Sequence, residues 1–285
     1  MARLTTENVP SPRLNAELLL MFTLGCDRAY LFAHPERELT FEEESRYEAA
    51  LAERSRGVPA QYITGHQEFW GMDFIVSPAV LIPRPETEHV IETVLELQAS
   101  GVGRQASGPQ ISGDVHPEVR IVDVGTGSGC IALALASELP SAEIHATDIS
   151  SAALEIARAN AARHQLQRRI RFQQADLLDG LDGEFDFVVS NPPYVGESEE
   201  DTVQLEVRKF EPRSAVFAGP AGTEVIARLI PQAGTILRPG GWLIMEISGT
   251  IADGVRKLLQ GWQDVQIKPD LQSIPRVVLA RRPKT

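Results

Sequence analysis

Residues that build metal centres and disulfide frameworks are scarce in this 285-residue sequence. It has two cysteines and six histidines, and none recurs at the spacing of a metal site. We therefore predict no metal centre. We also expect Cys26 and Cys130 to be free, reduced and buried thiols.

Lysine and long hydrophobic runs are scarce as well. Only four of the 27 basic residues are lysines, and 39 acidic residues give a net charge of −12. Such a chain would repel a phosphate backbone unless a local basic patch compensated, which favours a protein or small-molecule partner over nucleic acid. No signal peptide or apolar run of membrane-spanning length is present, which predicts a cytoplasmic protein without a membrane partner.

The most informative motif is Asn191-Pro-Pro-Tyr194, which follows the apolar run Phe185–Ser190. Proline fixes its own φ and keeps the preceding residue extended, so the motif predicts a rigid corner at a strand end. The Asn191 side chain and the Pro192 carbonyl could accept the two hydrogens of a planar NH₂ group beside Pro193, with the Tyr194 ring over its flat face. The alternative is a turn that only ends the strand.

A glycine-rich loop lies upstream, between a predicted buried strand over Val119–Val124 and an apolar helix that begins at Cys130. Glycines there let the backbone pass close to a ligand at the helix N-terminus. The spacing differs from that of dinucleotide-binding loops, and no lysine follows as in a phosphate-binding loop. Because a tight strand-to-helix turn needs glycines without any ligand, the loop alone is weak evidence. Its residues are Gly125, Thr126, Gly127, Ser128 and Gly129.

Acidic residues end the next two predicted strands. Asp148 follows a strand over 143–147, where its carboxylate could accept both hydroxyls of a ribose. Asp176 follows a strand over 170–175 and could accept an adenine amino proton, with the Leu177 N–H beside it. Each acid could instead cap a helix. In a parallel sheet, four of these positions meet beyond the carboxyl ends of the strands: Gly125, Asp148, Asp176 and Asn191.

These motifs resemble those of the class I S-adenosylmethionine-dependent amino-methyltransferases. Two further stretches, Gly57–Gly65 and Leu81–Glu88, are similar to the linker of the protein glutamine methyltransferases that modify peptide-chain release factors. Within the second stretch, Arg84 could contact the cofactor or the substrate, or form a structural ion pair. The resemblance covers nearly the whole chain. It departs from the family at Leu177, where many members have an aromatic residue, and at 98–117, which is longer and richer in Gly and Ser.

The resemblance implies an enzyme that uses S-adenosylmethionine, releases S-adenosylhomocysteine and methylates the N5 amide of the glutamine in the Gly-Gly-Gln motif of release factors. It implies catalytic roles for Asn191, Pro192 and Tyr194, which with Pro193 would also bind the glutamine. It implies cofactor binding by residues 125–129, Asp148, Asp176, Leu177 and Asn191. The alternative is a nucleic-acid base methyltransferase that acts on adenine N6 or guanine N2, since such an NH₂ group fits the same corner. The acidic charge and the lack of a basic aromatic strip argue against it.

Strands and helices alternate in the second part of the chain, which is typical of a doubly wound parallel α/β sheet. The resemblance implies a Rossmann-like sheet of seven strands, and segments 265–268 and 277–281 predict a closing antiparallel pair. We divide the chain into a helical domain (1–60), a β-hairpin linker (61–85) with turns at Gly65 and Gly71, and a catalytic domain (86–285). The acidic segment 196–201 predicts a solvated loop or a mobile lid.

The N-terminal segment carries helix signals and no site chemistry. Ser11 is predicted to cap a helix with a stripe of Leu14, Leu18 and Leu19, and Thr40 with Glu43 predicts the capping box of a helix that runs to about residue 56. We expect these helices to dock the substrate; the alternative is that they only cover the sheet.

Overall fold

The computed structural model describes residues 2–101 and 119–284, so most of segment 98–117 lies outside the described residues. The helices are α1 (Ala2–Thr6), α2 (Pro12–Leu24), α3 (Arg28–Ala33), α4 (Phe41–Ser55), α5 (Ala60–Thr64), α6 (Glu88–Ala99), α7 (Cys130–Glu138), α8 (Ser151–Arg163), α9 (Leu205–Phe210), α10 (Arg213–Val216), α11 (Glu224–Ile236) and α12 (Ala252–Leu258). The strands are β1 (His66–Phe69), β2 (Met72–Ile75), β3 (Arg120–Val124), β4 (Glu143–Asp148), β5 (Ile170–Gln174), β6 (Phe185–Ser190), β7 (Val195–Gly196), β8 (Phe217–Gly219), β9 (Leu237–Glu246), β10 (Gln263–Pro269) and β11 (Pro275–Arg281). Within these two ranges no helix is long and apolar enough to cross a membrane.

Seven strands form the central sheet in the order β10-β11-β9-β6-β3-β4-β5. Strands β9, β6, β3, β4 and β5 are parallel, and β11 runs antiparallel between β9 and β10. The predicted doubly wound sheet and its closing antiparallel pair are therefore confirmed. The chain leaves β3 towards β4 and β5, and then crosses to β6 on the other side of β3. This reversal makes the carboxyl ends of β3 and β6 the switch point, where such sheets bind ligands.

Helices cover both faces of the sheet. On one face, α6 and α7 pack against inward side chains such as Ile121 and Phe187, and on the other α11 and α12 pack against Val122 and Val188. All six residues of β6 are buried. Strands buried on both faces have largely apolar sequences, so they could be recognised from the sequence alone.

The N-terminal helices follow their capping signals in part. The Thr40 side chain accepts from the Glu43 N–H and the Glu43 carboxylate accepts from the Thr40 N–H, so the predicted capping box is confirmed. Ser11 occupies the predicted N-cap position before Pro12, but it has a left-handed backbone, φ 47°, and its side chain makes no cap bond. An N-cap side chain reaches the helix N–H groups from an extended backbone, which Ser11 lacks. Leu19 is buried, but Leu14 is 55% exposed, so the predicted stripe is only partly covered.

Strands β1 and β2 form the predicted hairpin, with the turn at Trp70 and Gly71. Both residues have positive φ, 55° and 67°, as a two-residue hairpin turn requires. The prediction of a strand turn at Gly65 was wrong, because Gly65 ends α5 in the left-handed conformation. Asn160 of α8 holds the hairpin: its Oδ1 accepts from the Ile75 N–H and its Nδ2 donates to the Ile75 carbonyl.

Two further expectations were wrong. The acidic segment 196–201 is not an irregular loop, because Gly196 ends β7, which pairs with β8, and Glu197–Thr202 forms a 3-10 helix; the mobile lid stays a prediction. Cys26 is only half-buried, because it lies in the turn that follows the helix-ending Gly25. Cys130 is buried, and both thiols are free.

Candidate active site

A cavity of about 360 Å³ opens at the switch point. The segment after the proline corner contributes lining residues that include Ser214, Ala215 and Phe217. The predicted cofactor residues that line it are Gly125, Thr126, Gly127, Ser128, Asp148, Asp176, Leu177 and Asn191. One cavity thus collects the ends of β3, β4, β5 and β6.

The glycine loop turns sharply out of β3. Gly125 and Gly127 have φ of 70° and 55°, and a Cβ on either would meet no atom within 4 Å. Gly129 does not line the cavity; a Cβ there would come within 2.8 Å of the Leu133 side chain. Positive φ selects glycine at all three positions. At Gly125 and Gly127 the missing side chain leaves the loop backbone accessible to a ligand, whereas at Gly129 it permits close packing of α7.

The buried Asp123 supports this loop from below. Its Oδ2 accepts from the Thr126 hydroxyl (2.6 Å) and from the Ala132 N–H (3.2 Å). Burial raises the pKa of Asp123 to about 7, while those two hydrogen bonds lower it. Asp123 was not predicted as a site residue, although an acid inside an apolar strand needs buried partners.

Asp148 ends β4 with its carboxylate fixed by two backbone donors. One oxygen accepts from the Gly127 N–H (2.9 Å) and the other from the Ser150 N–H (2.8 Å). Burial raises the pKa of Asp148, and these bonds lower it. A carboxylate oxygen can accept a second hydrogen, so both oxygens remain available to the two hydroxyls of a ribose.

Asp176 forms an ion pair that the sequence did not reveal. Arg228 of α11 lies 2.5 Å from its Oδ2, and both residues line the cavity. Leu177 has φ 56°, an unusual conformation for a bulky residue, and its carbonyl accepts from the Thr147 hydroxyl. Strained residues of this kind cluster where a ligand is held. The strain at Leu177 is therefore consistent with a ligand-contacting backbone.

The proline corner is only partly exposed to the cavity. Asn191 and Pro193 line it, whereas Pro192 is buried and neither Pro192 nor Tyr194 is among the lining residues. The Tyr194 hydroxyl donates instead to Glu246 Oε1 at 3.0 Å. Asn191 Nδ2 donates to Thr87 Oγ1 at 3.0 Å. Thr87 and Glu246, which were not predicted as site residues, thus hold the proline corner by hydrogen bonds.

Arg84 has the structural ion pair that was one of its two predicted roles. It contacts the buried carboxylate of Glu211, which also accepts from the Ile82 N–H. Arg84 also lines the cavity. Its ion pair with Glu211 joins the linker to the segment that follows the proline corner. Among residues 2–101 and 119–284, no group of three or more His, Cys, Asp or Glu side chains could hold a metal ion.

Comparisons with known proteins bear on the family and the fold of the chain. The family model described as the PrmC N-terminal domain matches residues 1–65, and that of the methyltransferase small domain matches residues 113–209. The fold resembles a methyltransferase from Pyrococcus furiosus (17% identity, 84% of this chain and 99% of that one, TM-score 0.51). It also resembles a T. thermophilus 16S rRNA N2 methyltransferase solved with AdoMet and guanosine (17% identity, 76% and 49%, TM-score 0.53).

Relatives of higher identity extend over nearly the whole chain. Three proteins named release factor glutamine methyltransferase are similar to it. The protein from Koribacter versatilis is 54% identical over 99% of this chain and 96% of its own length. The protein from Chlorobaculum tepidum is 45% identical over 95% of this chain and 90% of its own length. The protein from Xylella fastidiosa (strain 9a5c) is 40% identical over 99% of this chain and 98% of its own length. The chain therefore belongs to the release factor glutamine methyltransferase family.

Proposed function

We propose that this protein transfers a methyl group from S-adenosylmethionine to the side-chain amide nitrogen, N5, of the glutamine in the Gly-Gly-Gln motif of peptide-chain release factors. The observation that supports this most directly is the meeting of the glycine loop, Asp148 and Asn191 in one cavity. The first two suit an adenosyl group, and Asn191 offers an amide acceptor where a substrate amide would enter. Relatives with this substrate in their names span almost the same length.

The cavity fits the proposed cofactor. We assign the open backbone of residues 125–128 to the amino-acid end of S-adenosylmethionine, Asp148 to its ribose, and Asp176 with the Leu177 N–H to its adenine. Arg228 forms an ion pair with Asp176 at 2.5 Å, and its positive charge offsets the negative charge of that carboxylate. When bound, the cofactor supplies a methyl group on a sulfonium, ready for in-line displacement.

The chain's own task is to position and polarise a weak nucleophile. An amide nitrogen reacts poorly because its lone pair is delocalised into the carbonyl. We assign the Asn191 oxygen and the Pro192 carbonyl to the two N–H hydrogens of the glutamine amide. These contacts fix its direction, increase the electron density on nitrogen and stabilise the positive charge it gains. The Tyr194 ring would pack on the amide plane once the glutamine enters.

The described cavity lining contains no histidine, and the reaction needs no strong base from the protein. The methylated amide is acidic enough to lose its proton to solvent. Closure of the site around the glutamine then matters more than proton transfer, because water competes for the acceptors on Asn191 and Pro192.

We further propose that the helices of residues 1–60 dock the release factor, while residues 61–85 link them to the catalytic domain, 86–285. The helical domain also contacts the catalytic domain directly: Arg54 of α4, which donates to the Val58 carbonyl, donates to Glu206 of α9 at 2.5 Å. Because the proposed substrate is a translation factor, we place the reaction in the cytoplasm.

The proposed function predicts a clear substrate preference. The enzyme should transfer label from S-adenosylmethionine to an intact release factor, and change of the Gly-Gly-Gln glutamine to alanine should abolish the incorporation. Separate pools of DNA and RNA serve as controls. Label that enters nucleic acid, and not the release factor, would favour the base methyltransferase instead.

Asp148→Ala should weaken S-adenosylmethionine binding by about 1.5–3 kcal/mol, or about 10–150-fold in Kd, because charge-assisted hydrogen bonds to the ribose are lost. Isothermal titration calorimetry measures this directly. Thermal unfolding must first show that the variant is folded, since Asp148 also accepts from Gly127 and Ser150. An unchanged Kd in a folded variant would remove Asp148 from the cofactor site.

A further inference from the structure

A buried hydrogen-bonded chain lies directly behind Asn191. Asn191 Nδ2 donates to Thr87 Oγ1 at 3.0 Å, and Thr87 Oγ1 donates to Glu246 Oε2 at 2.6 Å. The other oxygen of Glu246 accepts from the Tyr194 hydroxyl at 3.0 Å. Thr87 and Glu246 are 2% and 1% exposed. One carboxylate therefore holds two residues of the proline corner, one directly and one through a hydroxyl.

The sheet register explains why Glu246 lies there. Ser190 of β6 pairs with Met245 of β9 in a parallel ladder, so Asn191, directly after β6, lies beside Glu246, the last residue of β9. Thr87 lies in the turn that leads into α6, which packs over this end of the sheet. Burying a charged residue at this position is costly unless its oxygens are hydrogen-bonded, and here each oxygen has a donor.

The chain of bonds has a direction that the carboxylate sets. Thr87 Oγ1 donates to Glu246 Oε2, which is the direction that an ionised carboxylate requires because it only accepts hydrogens, so the single hydroxyl hydrogen of Thr87 points towards Glu246. Thr87 Oγ1 can then only accept from Asn191, which requires the NH₂ end of the Asn191 amide to face Thr87. The carbonyl end, Oδ1, is left for the cavity, and it has no hydrogen-bond partner among the described residues.

Neighbouring groups act on the charge of this carboxylate. Burial raises the pKa of Glu246, and the hydrogen bonds from Thr87 and Tyr194 lower it; Glu86 raises it further and Arg276 lowers it. Burial also raises the pKa of Tyr194, so its hydroxyl stays protonated and acts as a donor. Burial raises the pKa of the Cys130 thiol in α7, and the charge of Glu246 adds a smaller rise.

We propose that Glu246 is a positioning residue that acts through Thr87 to keep the Asn191 amide oxygen, rather than its NH₂ group, turned towards the substrate glutamine. A reversed amide would present two donors to an NH₂ group that is itself a donor, and the substrate could not bind in the reactive orientation. The second bond of Glu246, to Tyr194, fixes the ring at the same corner. This inference rests on the proposed function for its effect on turnover, but not for the hydrogen-bonded chain itself.

Glu246→Gln and Thr87→Val test the two links of the chain. Glutamine has nearly the same shape as glutamate but carries an NH₂ donor, which can donate to Thr87 and reverse the chain. Valine keeps the shape of threonine without its hydroxyl. Thr87→Ser keeps the hydroxyl and should restore most of the turnover. Thr93→Val is the matched control, because Thr93 lies in α6, the helix that follows Thr87, is 1% exposed and does not line the cavity.

Asparagine side-chain NMR reports the chain without any turnover. The protein has four asparagines, Asn8, Asn15, Asn160 and Asn191, so ¹⁵N-asparagine labelling gives four pairs of NH₂ signals. The pair that disappears in Asn191→Ala belongs to Asn191. We expect Glu246→Gln and Thr87→Val to shift the Asn191 pair and speed its exchange with water. Thr87→Ser should leave exchange slow. The Asn160 pair, bonded to the Ile75 and Ser128 carbonyls, should not move.

Turnover on a release factor completes the test. We expect Glu246→Gln and Thr87→Val to lower kcat at least about tenfold, with an upper limit set by the 10²–10³-fold loss of an oriented polar contact. The Kd of S-adenosylmethionine should not change. An unmoved Asn191 signal overturns the chain, and a moved signal with wild-type kcat overturns the positioning role. If the wild-type enzyme does not methylate the release factor, the proposed function fails, while the NMR arm still decides the chain.

Discussion

Asn191→Ala should lower kcat on a release factor by about 10²–10³-fold, the scale of losing one oriented polar contact at a reacting centre. The substitution removes the acceptor that we assign to the glutamine NH₂ group. It also removes the donor to Thr87, at 3.0 Å, so a modest loss of stability is expected as well. The affinity for S-adenosylmethionine should fall much less than kcat, because the main cofactor contacts are assigned to the glycine loop and Asp148. Single-turnover kinetics and calorimetry measure the two quantities separately.

Asn191→Asp is the matched control for this prediction. It keeps the size and the turn preference of asparagine, and its carboxylate can still accept hydrogens. It adds a negative charge beside the sulfonium and loses the donor to Thr87, so we expect strong impairment of a folded enzyme. A folded Asn191→Ala enzyme that methylates a release factor near the wild-type rate would contradict the proposed mechanism.

Deletion of residues 1–56 should abolish methylation of an intact release factor while cofactor binding is kept. If docking on the helical domain contributes at least about 2.8 kcal/mol, kcat/KM falls by at least about 10²-fold without it, to a level near the assay background. The helical domain has its own small core, which includes Leu4, Leu19 and Leu51. None of these residues lines the cavity, so their removal should leave the cofactor contacts in place.

Two measurements guard the interpretation of this deletion. Calorimetry with S-adenosylmethionine shows whether the remaining domain is folded, since the deletion removes Arg54, the partner of Glu206. A short glutamine peptide should be a poor substrate for both forms, because docking energy far from the amide helps to position it. Full activity of the shortened enzyme on the intact factor would leave the helices with only a structural role.

The elements predicted well were those whose signal is local. Strand β6 has the predicted bounds, Phe185–Ser190, because a strand buried on both faces is mostly apolar and the prolines after Asn191 end it. The capping box of α4 needs only Thr40 and Glu43, three residues apart. The predictions of a side-chain cap at Ser11 and of a strand turn at Gly65 were wrong because the local signal of each residue is ambiguous. Each residue type suits two or more local structures, and the surrounding packing selected one of them.

The sequence by itself determined the sheet, the order of its strands' polar ends and the family, because these follow from periodicity and from short motifs. Only the tertiary structure decided what holds those ends in place. Thr87, Asn191 and Glu246 are up to 159 positions apart, and no local pattern links them. Glu246 interrupts the apolar run of β9, but an acid in a strand does not name its partners. They are fixed by the register of β6 with β9 and by the docking of α6, which the whole core determines together.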